Sequence, residues 1–200
     1  FPYAYRPSEG WMREWLDRYP LLRDKFVIVM AGRLRRLKGH PDFLRILSLL
    51  GSSGARVHGV IVGDDTGSSA YVAELHREAA RADVPVTFVG YRSDMKDVYA
   101  AADLVISLSR QPESFGRSVL EPLCLGIPVV GYGHGGVGEI LDRMFPQGAV
   151  PAGDVQAATS RVEEFMRRPC IVPRENPFPL DTMLERTVEL YERLADGRVA

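Results

Sequence analysis

Two glutamates, Glu113 and Glu121, stand eight positions apart with Ser114, Phe115, Gly116, Arg117 and Ser118 among the residues between them. A carboxylate accepts hydrogen bonds from two neighbouring hydroxyls, so such a pair suits two polyhydroxyl groups. Gly116 falls near an expected helix start, where free N–H groups and the helix dipole attract an anion. At about 1.5 Å of rise per helical residue, the two carboxylates flank that anion position by several Å on each side. Sugar, pyrophosphate and ribose follow one another in the same order in a nucleotide sugar. Taken alone, Glu121 is an acidic residue favoured by a helix dipole; the spacing and the strand before it favour a ligand role.

Three further loops have chemistry to offer. Ala31–Gly39 (AGRLRRLKG) combines glycines with Arg33, Arg35, Arg36 and Lys38. Arg presents a planar fork and Lys a point charge, which is how a pyrophosphate is met, although the segment alone equally describes a solvated basic loop. Val89-Gly90-Tyr91-Arg92 follows a strand-like run, where backbone can contact a base and Arg92 can lie over one. Gly131–Gly136 (GYGHGG) formally holds G-x-G-x-x-G. It follows a late strand rather than the first, with no acidic residue closing a second unit, so it is not a dinucleotide fingerprint. Its glycines permit close approach to a sugar or phosphate; His134 is by default a loop histidine, and Glu139 an early-helix residue.

These loops must hang on a scaffold. Apolar, β-branched runs recur at 26–30, 57–62, 86–89, 104–108 and 127–130. Continuous rather than alternating apolarity marks strands buried on both faces of a parallel sheet. Helical segments are expected at 42–50, 69–82, 94–101 capped by Ser93, 118–125 ending at Gly126, and 154–168 capped by Asp154. Alternation of this kind gives right-handed βαβ units and a doubly wound α/β sheet with helices on both faces. Ligands of such sheets sit outside the carboxyl ends of the strands, where all four loops lie. Residues 1–20 hold one short amphipathic helix around Trp11, Trp15 and Leu16. Residues 169–179 hold four prolines, and a last helix covers about 180–195.

Composition narrows the function classes. The 200 residues carry 25 basic and 26 acidic side chains, a net charge of −1, which gives no global attraction to nucleic acid or acidic membrane. The hydrophobic fraction of 46% supports an ordinary core. No run approaches the roughly 18 apolar residues of a membrane span, and no signal peptide is visible. Cys124 and Cys170 read as packing thiols of a reduced protein. The chain begins at Phe1 rather than Met, and the expectation is a piece of a longer polypeptide.

In order, Gly32-Arg33-Leu34 with Lys38-Gly39, Phe88–Tyr91, Ala101–Leu104, Glu113 with Phe115-Gly116 and Glu121, Gly126–Val130, and Gly135-Gly136 with Glu139 resemble the C-terminal domain of glycosyltransferase family 4 (group 1), of the GT-B fold. The resemblance covers about residues 22–195. It implies a nucleotide-sugar-binding, Rossmann-like domain over 21–179, an interdomain connection over 1–20, and a helix over 180–200 returning toward an absent N-terminal domain. It implies retaining transfer of a hexose-type sugar to a glycan or lipid-linked acceptor, with no metal and no cofactor. Catalytic roles fall to Arg33 and Lys38, which would steady the departing diphosphate, and to Glu113, which would hold sugar hydroxyls. Donor binding falls to Gly32, Gly90, Tyr91, Arg92, Ser114, Phe115, Gly116, Arg117 and Glu121, with Glu121 on the ribose and Tyr91 and Arg92 beside the base. The implied partners are the nucleotide-sugar donor and the absent acceptor-binding half, with no nucleic acid. The implied location is cytoplasmic, any contact with the inner face of the membrane being made through the missing half.

The chain departs from the family pattern at Ser114 (commonly Gly), at Arg117 (commonly apolar or small) and at Pro122 (commonly Ala). Proline suits a helix's first turn, so the helix is expected to begin late or kink. Other GT-B enzymes, such as an epimerase or glycan synthase, would share this sheet and cation logic. A nucleotide-binding or interaction domain without catalysis would have no need to keep Arg33, Lys38, Glu113 and Glu121 together.

Overall fold

The computed structural model describes residues 1–64, 70–81 and 84–195. Among the described residues six strands form one wholly parallel sheet: β1 (Phe26–Ala31), β2 (Val57–Val62), β3 (Val86–Gly90), β4 (Leu104–Ser107), β5 (Val129–Tyr132) and β6 (Ala149–Val150). Their order is β3-β2-β1-β4-β5-β6. The order reverses between β1 and β4, which pair in the register Ile28↔Leu104 and Val29↔Val105. A doubly wound sheet opens a crevice at such a point, because the loops leaving its two strands turn to opposite faces.

The helices are α1 (Glu9–Arg18), α2 (His40–Ser52), α3 (Ala70–Arg81), α4 (Met95–Ala100), α5 (Arg117–Leu125), α6 (Gly135–Met144), α7 (Val155–Arg167) and α8 (Leu180–Ala195). α2 packs on α3 and α7, while α5 packs on α4 and α6. The two groups cover both faces, so β2, β4 and β5 are buried along their whole length. Among the described residues no helix is long and apolar enough to cross a membrane. Cys124 and Cys170 are free and half-buried.

The structure corrects the sequence in detail. β5 lies two residues later than expected, because Ile127 still belongs to the end of α5, donating its N–H to Pro122 O. Gly131 and Tyr132 are therefore strand residues. The helix expected around Glu139 is α6, which begins ahead of it at Gly135, whereas the two-residue β6 was not among the expected elements; three glycines at the start of α6 mask where it begins, and packing overrides their low propensity. Asp94, not Ser93, is the N-cap residue of α4. α5 starts at Arg117, one residue early, with Pro122 inside it. Pro122 takes away one i→i−4 bond from a helix closed at both ends by left-handed glycines, Gly116 (φ +105°) and Gly126 (φ +84°). Of the helix expected over 69–82, residues 69 and 82 lie outside the described residues, as do 196–200 of the last helix.

The segment ahead of β1 packs on its own domain. Trp15 is only 5% exposed and stacks on Trp11, with ring centroids 5.1 Å apart. Asp103 fastens the sheet's lower edge, its carboxylate accepting Val27 N–H at 2.7 Å.

Candidate functional site

The β1/β4 switch point carries a cleft of about 890 Å³, within the range of small-molecule sites. Of the residues singled out from sequence, Gly32, Arg33, Lys38, Tyr91, Arg92, Ser114, Phe115, Gly116, Arg117, Glu113 and Glu121 all line it. Gly90 does not: it ends β3 with φ +71° and accepts Gly63 N–H on its carbonyl at 3.0 Å.

The β1–α2 loop reaches the cleft through a tight passage. Gly39 has φ +80°, and a Cβ there would lie 2.1 Å from Leu108 O. Arg110 N–H donates to Leu37 O at 2.8 Å. The loops after β1 and β4 are thus laced together by backbone. Their side chains meet as well: Lys38 Nζ donates to Glu113 Oε1 at 2.7 Å. Of the four cations expected to serve the loop, only Arg33 and Lys38 line the cleft. Arg36 instead pairs with Glu74 and lies over the Tyr71 ring. Arg33 is exposed and forms no ion pair among the described residues.

The β4–α5 loop brings Glu113, Ser114, Phe115 and the left-handed Gly116 to the start of α5. The first N–H groups of α5, at Arg117 and Ser118, have no intrahelical acceptor, and both residues line the cleft. Glu113 lies ahead of this N-terminus, and Glu121 lies on the helix behind it. Burial, partly opposed by Arg117, raises the carboxyl pKa of Glu121. Arg117 Nε stands 3.7 Å from Glu121 Oε1 while its side chain remains 82% exposed, so this pair contributes little energy.

The glycine-rich segment 131–136 does not line the cleft; it supports the loop that does. Gly136 N–H donates to Glu113 O at 2.8 Å, and a Cβ on Gly136 would lie 2.2 Å from Phe115 O. His134 Nε2 is 2.8 Å from Ser109 O. The close backbone approach expected from these glycines is thus made to the neighbouring loop. Glu139 is exposed on α6.

Several cleft residues escaped the sequence reading. Val62 ends β2, Gly63 and Asp64 follow it, and Ser93, Met95 and Tyr99 lie in or near α4. The rule that ligands gather at carboxyl strand ends pointed to the loop after β2, but its composition, without a basic or paired acidic pattern, did not. A Cβ on Gly63 would lie 1.9 Å from Gly32 O. Behind the cleft, Asp42 is buried; it accepts the hydroxyl of Tyr132 at 2.9 Å and pairs with the guanidinium of Arg110, whose Nε is at 3.0 Å. Among the described residues no group of three or more His, Cys, Asp or Glu is arranged to hold a metal ion.

Comparison with known proteins bears on the family and the fold. The family described as glycosyl transferases group 1 matches residues 12–177. The 2-deoxystreptamine N-acetyl-D-glucosaminyltransferase of Streptomyces fradiae is 31% identical over 187 residues, spanning 87% of this chain and 43% of that protein. The crystal structure of Anabaena Alr3699/HepE in complex with UDP and glucose superposes with a TM-score of 0.72 at 27% identity, over 82% of this chain and 45% of that one. The C-terminal domain of the group 1 family protein LpcC from Francisella tularensis shares the fold, with a TM-score of 0.65 at 22% identity over 82% of this chain and 86% of that one. The chain thus spans under half the length of the Streptomyces and Anabaena proteins. With a family match across most of its length and the matching sheet, the chain belongs to the group 1 glycosyl transferases.

Proposed function

We propose that this chain is the donor-binding half of a retaining glycosyltransferase that moves a hexose-type sugar from a nucleoside diphosphate to a glycan or lipid-linked acceptor without a divalent metal. The observation that carries the reading is the layout of the cleft. The Lys38–Glu113 pair, at 2.7 Å, lies ahead of the N-terminus of α5, and Glu121 lies behind it.

In the transfer, the bond from the anomeric carbon to the diphosphate oxygen breaks, the diphosphate leaves with the electron pair, and an acceptor hydroxyl oxygen bonds to that carbon while its proton passes to the departing diphosphate. Arg33, Lys38 and the α5 N-terminus supply fixed positive charge where that negative charge develops. Glu113 accepts hydrogen bonds from the sugar and Glu121 from the ribose. Tyr91, 75% exposed, and Arg92 border the base. UDP is the first diphosphate to test, since the similar Anabaena structure was solved with UDP and glucose.

The acceptor belongs to a second half. α8 has no buried residue, and its Leu180, Leu184, Val188, Tyr191 and Leu194 are exposed. An apolar stripe of this kind asks for a partner surface, and the absent N-terminal domain supplies it, with residues 1–20 as the other connection. The reading places the protein in the cytoplasm, with any membrane contact made by the absent half.

Calorimetric titration of the chain with UDP, GDP and ADP, without added metal, tests this. Binding of one diphosphate, weakened by Glu121→Ala, is the expected result; no binding, or binding indifferent to the substitution, refutes the assignment of the cleft. The chain alone is expected to bind donor without glycosylating an acceptor, and a robust transfer rate from it would refute the two-half reading.

A further inference from the structure

Asp94 holds the N-cap position of α4, yet its side chain caps nothing. An aspartate there ordinarily accepts an N–H of the first helical turn, worth about 1 kcal/mol. Instead Oδ1 accepts Arg92 Nε at 2.8 Å, while Oδ2 accepts Trp11 Nε1 at 2.8 Å and Arg92 Nη2. Burial alone would raise the pKa of this carboxyl, but hydrogen bonds from Arg92 and Trp11 hold it below the usual value. The guanidinium lies over the ring of Trp15, 5.5 Å from its centroid. Trp15 in turn stacks on Trp11 with 14° between the planes.

A guanidinium held by a bidentate carboxylate and backed by an aromatic ring has its plane fixed. Only two of its roughly five N–H bonds are spent on Asp94. Arg92 walls a small pocket of about 150 Å³ against α1, and it also lines the large cleft beside Tyr91. Among the described residues it is the one common to the two. The network therefore runs without a break from α1, in the segment ahead of the sheet, to the end of the cleft that follows β3.

We propose that Trp11 and Asp94 are positioning residues that hold Arg92 as a flat platform on which the nucleobase of the donor stacks. The proposal rests on the donor-cleft reading above and extends it to α1. Without Asp94 the guanidinium is a flexible cation, still attracted to phosphate but no longer set in the plane a base requires. Without the Trp11 N–H, Asp94 keeps its charge and loses one of the contacts that aim it.

The test compares the unsubstituted chain with Asp94→Asn and Trp11→Phe, each titrated with the tightest-binding of UDP, GDP and ADP and, separately, with inorganic pyrophosphate. Stacking of one base on a planar side chain is worth enough that its loss weakens binding about tenfold. Asp94→Asn is expected to weaken the nucleotide by about that factor, Trp11→Phe by less, and neither to alter pyrophosphate binding. Trp11→Phe keeps the ring that packs on Trp15 and carries the test if Asp94→Asn does not fold. Unchanged nucleotide affinity in Trp11→Phe and Asp94→Asn would overturn the proposal, and so would parallel weakening of nucleotide and pyrophosphate, which marks a general structural role. If the unsubstituted chain binds pyrophosphate but gains nothing from the nucleoside, the platform is refuted while the phosphate site stands. If it binds neither, the donor-cleft reading falls and the platform with it.

Discussion

Lys38 and Glu113 come from loops 75 residues apart and meet through a 2.7 Å hydrogen bond at the mouth of the β1/β4 crevice. Their side chains are 27% and 20% exposed, so the pair is partly withdrawn from water. Each satisfies the other; in the proposed donor complex a phosphate would take the lysine and sugar hydroxyls the glutamate. Separate fates for the two residues follow. Lys38→Ala is expected to weaken nucleoside diphosphate binding by about tenfold or more, the cost of one charge-assisted contact. Glu113→Gln is expected to leave the diphosphate's affinity intact while erasing the added affinity of the sugar-bearing donor. Calorimetry with UDP and UDP-glucose on both variants decides; equal losses for both ligands in Glu113→Gln would contradict the assignment.

Glu121 is expected to read the ribose through its diol. Glu121→Gln should lower affinity for UDP more than for 2′-deoxy-UDP, which keeps only the 3′ hydroxyl, so that the gap between the two narrows. Burial raises the Glu121 pKa, so the contribution of its ionised form is lost as pH falls through that raised value. Affinity for UDP measured toward acid pH should drop more in the unsubstituted chain than in Glu121→Gln.

Gly39 is a place where no side chain fits. A methyl there meets Leu108 O at 2.1 Å in a backbone with φ +80°. Gly39→Ala is expected to cost more than about 3 kcal/mol by combining clash with strain. Gly54 has nearly the same φ, +82°, but open space around it, so Gly54→Ala should cost only about 1–2 kcal/mol. Urea unfolding of the two variants separates overlap from dihedral strain.

Asp42 anchors Arg110 and Tyr132 beneath the cleft. Arg110 is 57% exposed at its side chain while Asp42 is 6% exposed, so removing the carboxylate strands the buried Tyr132 hydroxyl more than it strands the arginine. Asp42→Ala is expected to cost about 1–3 kcal/mol, the penalty of a buried hydroxyl left unpaired. Tyr132→Phe combined with Asp42→Ala should cost less than the sum of the two, and full additivity in a double-mutant cycle would refute this shared contact.

His40 opens α2 with its Nδ1 3.1 Å from Tyr71 Oη. Burial pushes its pKa down to about 4 from 6.5. The unfolded chain binds a proton below pH 6.5 that the folded chain refuses until pH 4, so this residue's contribution to stability falls as pH drops through that window. The loss approaches about 3 kcal/mol at its limit, from 1.36 kcal/mol per pKa unit. His40→Asn, which keeps a hydrogen-bonding group near the Nδ1 position, should flatten the fall in denaturant midpoint between pH 7 and pH 4.5; an unchanged slope would show that His40 is not its source.

Local pattern was enough to place most of the scaffold. Apolar runs such as Val57–Val62 are strands because their residues are buried on both faces. Gly126 ends α5, and Asp154 caps α7 by accepting Ala157 N–H, each from its own chemistry. The matched motif order brought eleven of the twelve candidate residues to one cleft. Tertiary structure decided what these residues touch. Lys38 meets Glu113 because β1 lies beside β4, a neighbour relation set by crossover topology rather than by composition. The same topology lays Gly135 and Gly136 against Glu113 and Phe115, turning a glycine pattern that looked ready for a ligand into a support. It also brings Trp11 to Asp94, 83 residues away in the chain, and Trp15 to the guanidinium of Arg92. The start of α6 and the whole of β6 were decided by packing as well, since three glycines and two residues carry too little periodicity to declare a helix start or a strand on their own. Sequence sets which groups are available and on which element; the order of strands in the sheet sets which of them come within hydrogen-bonding distance.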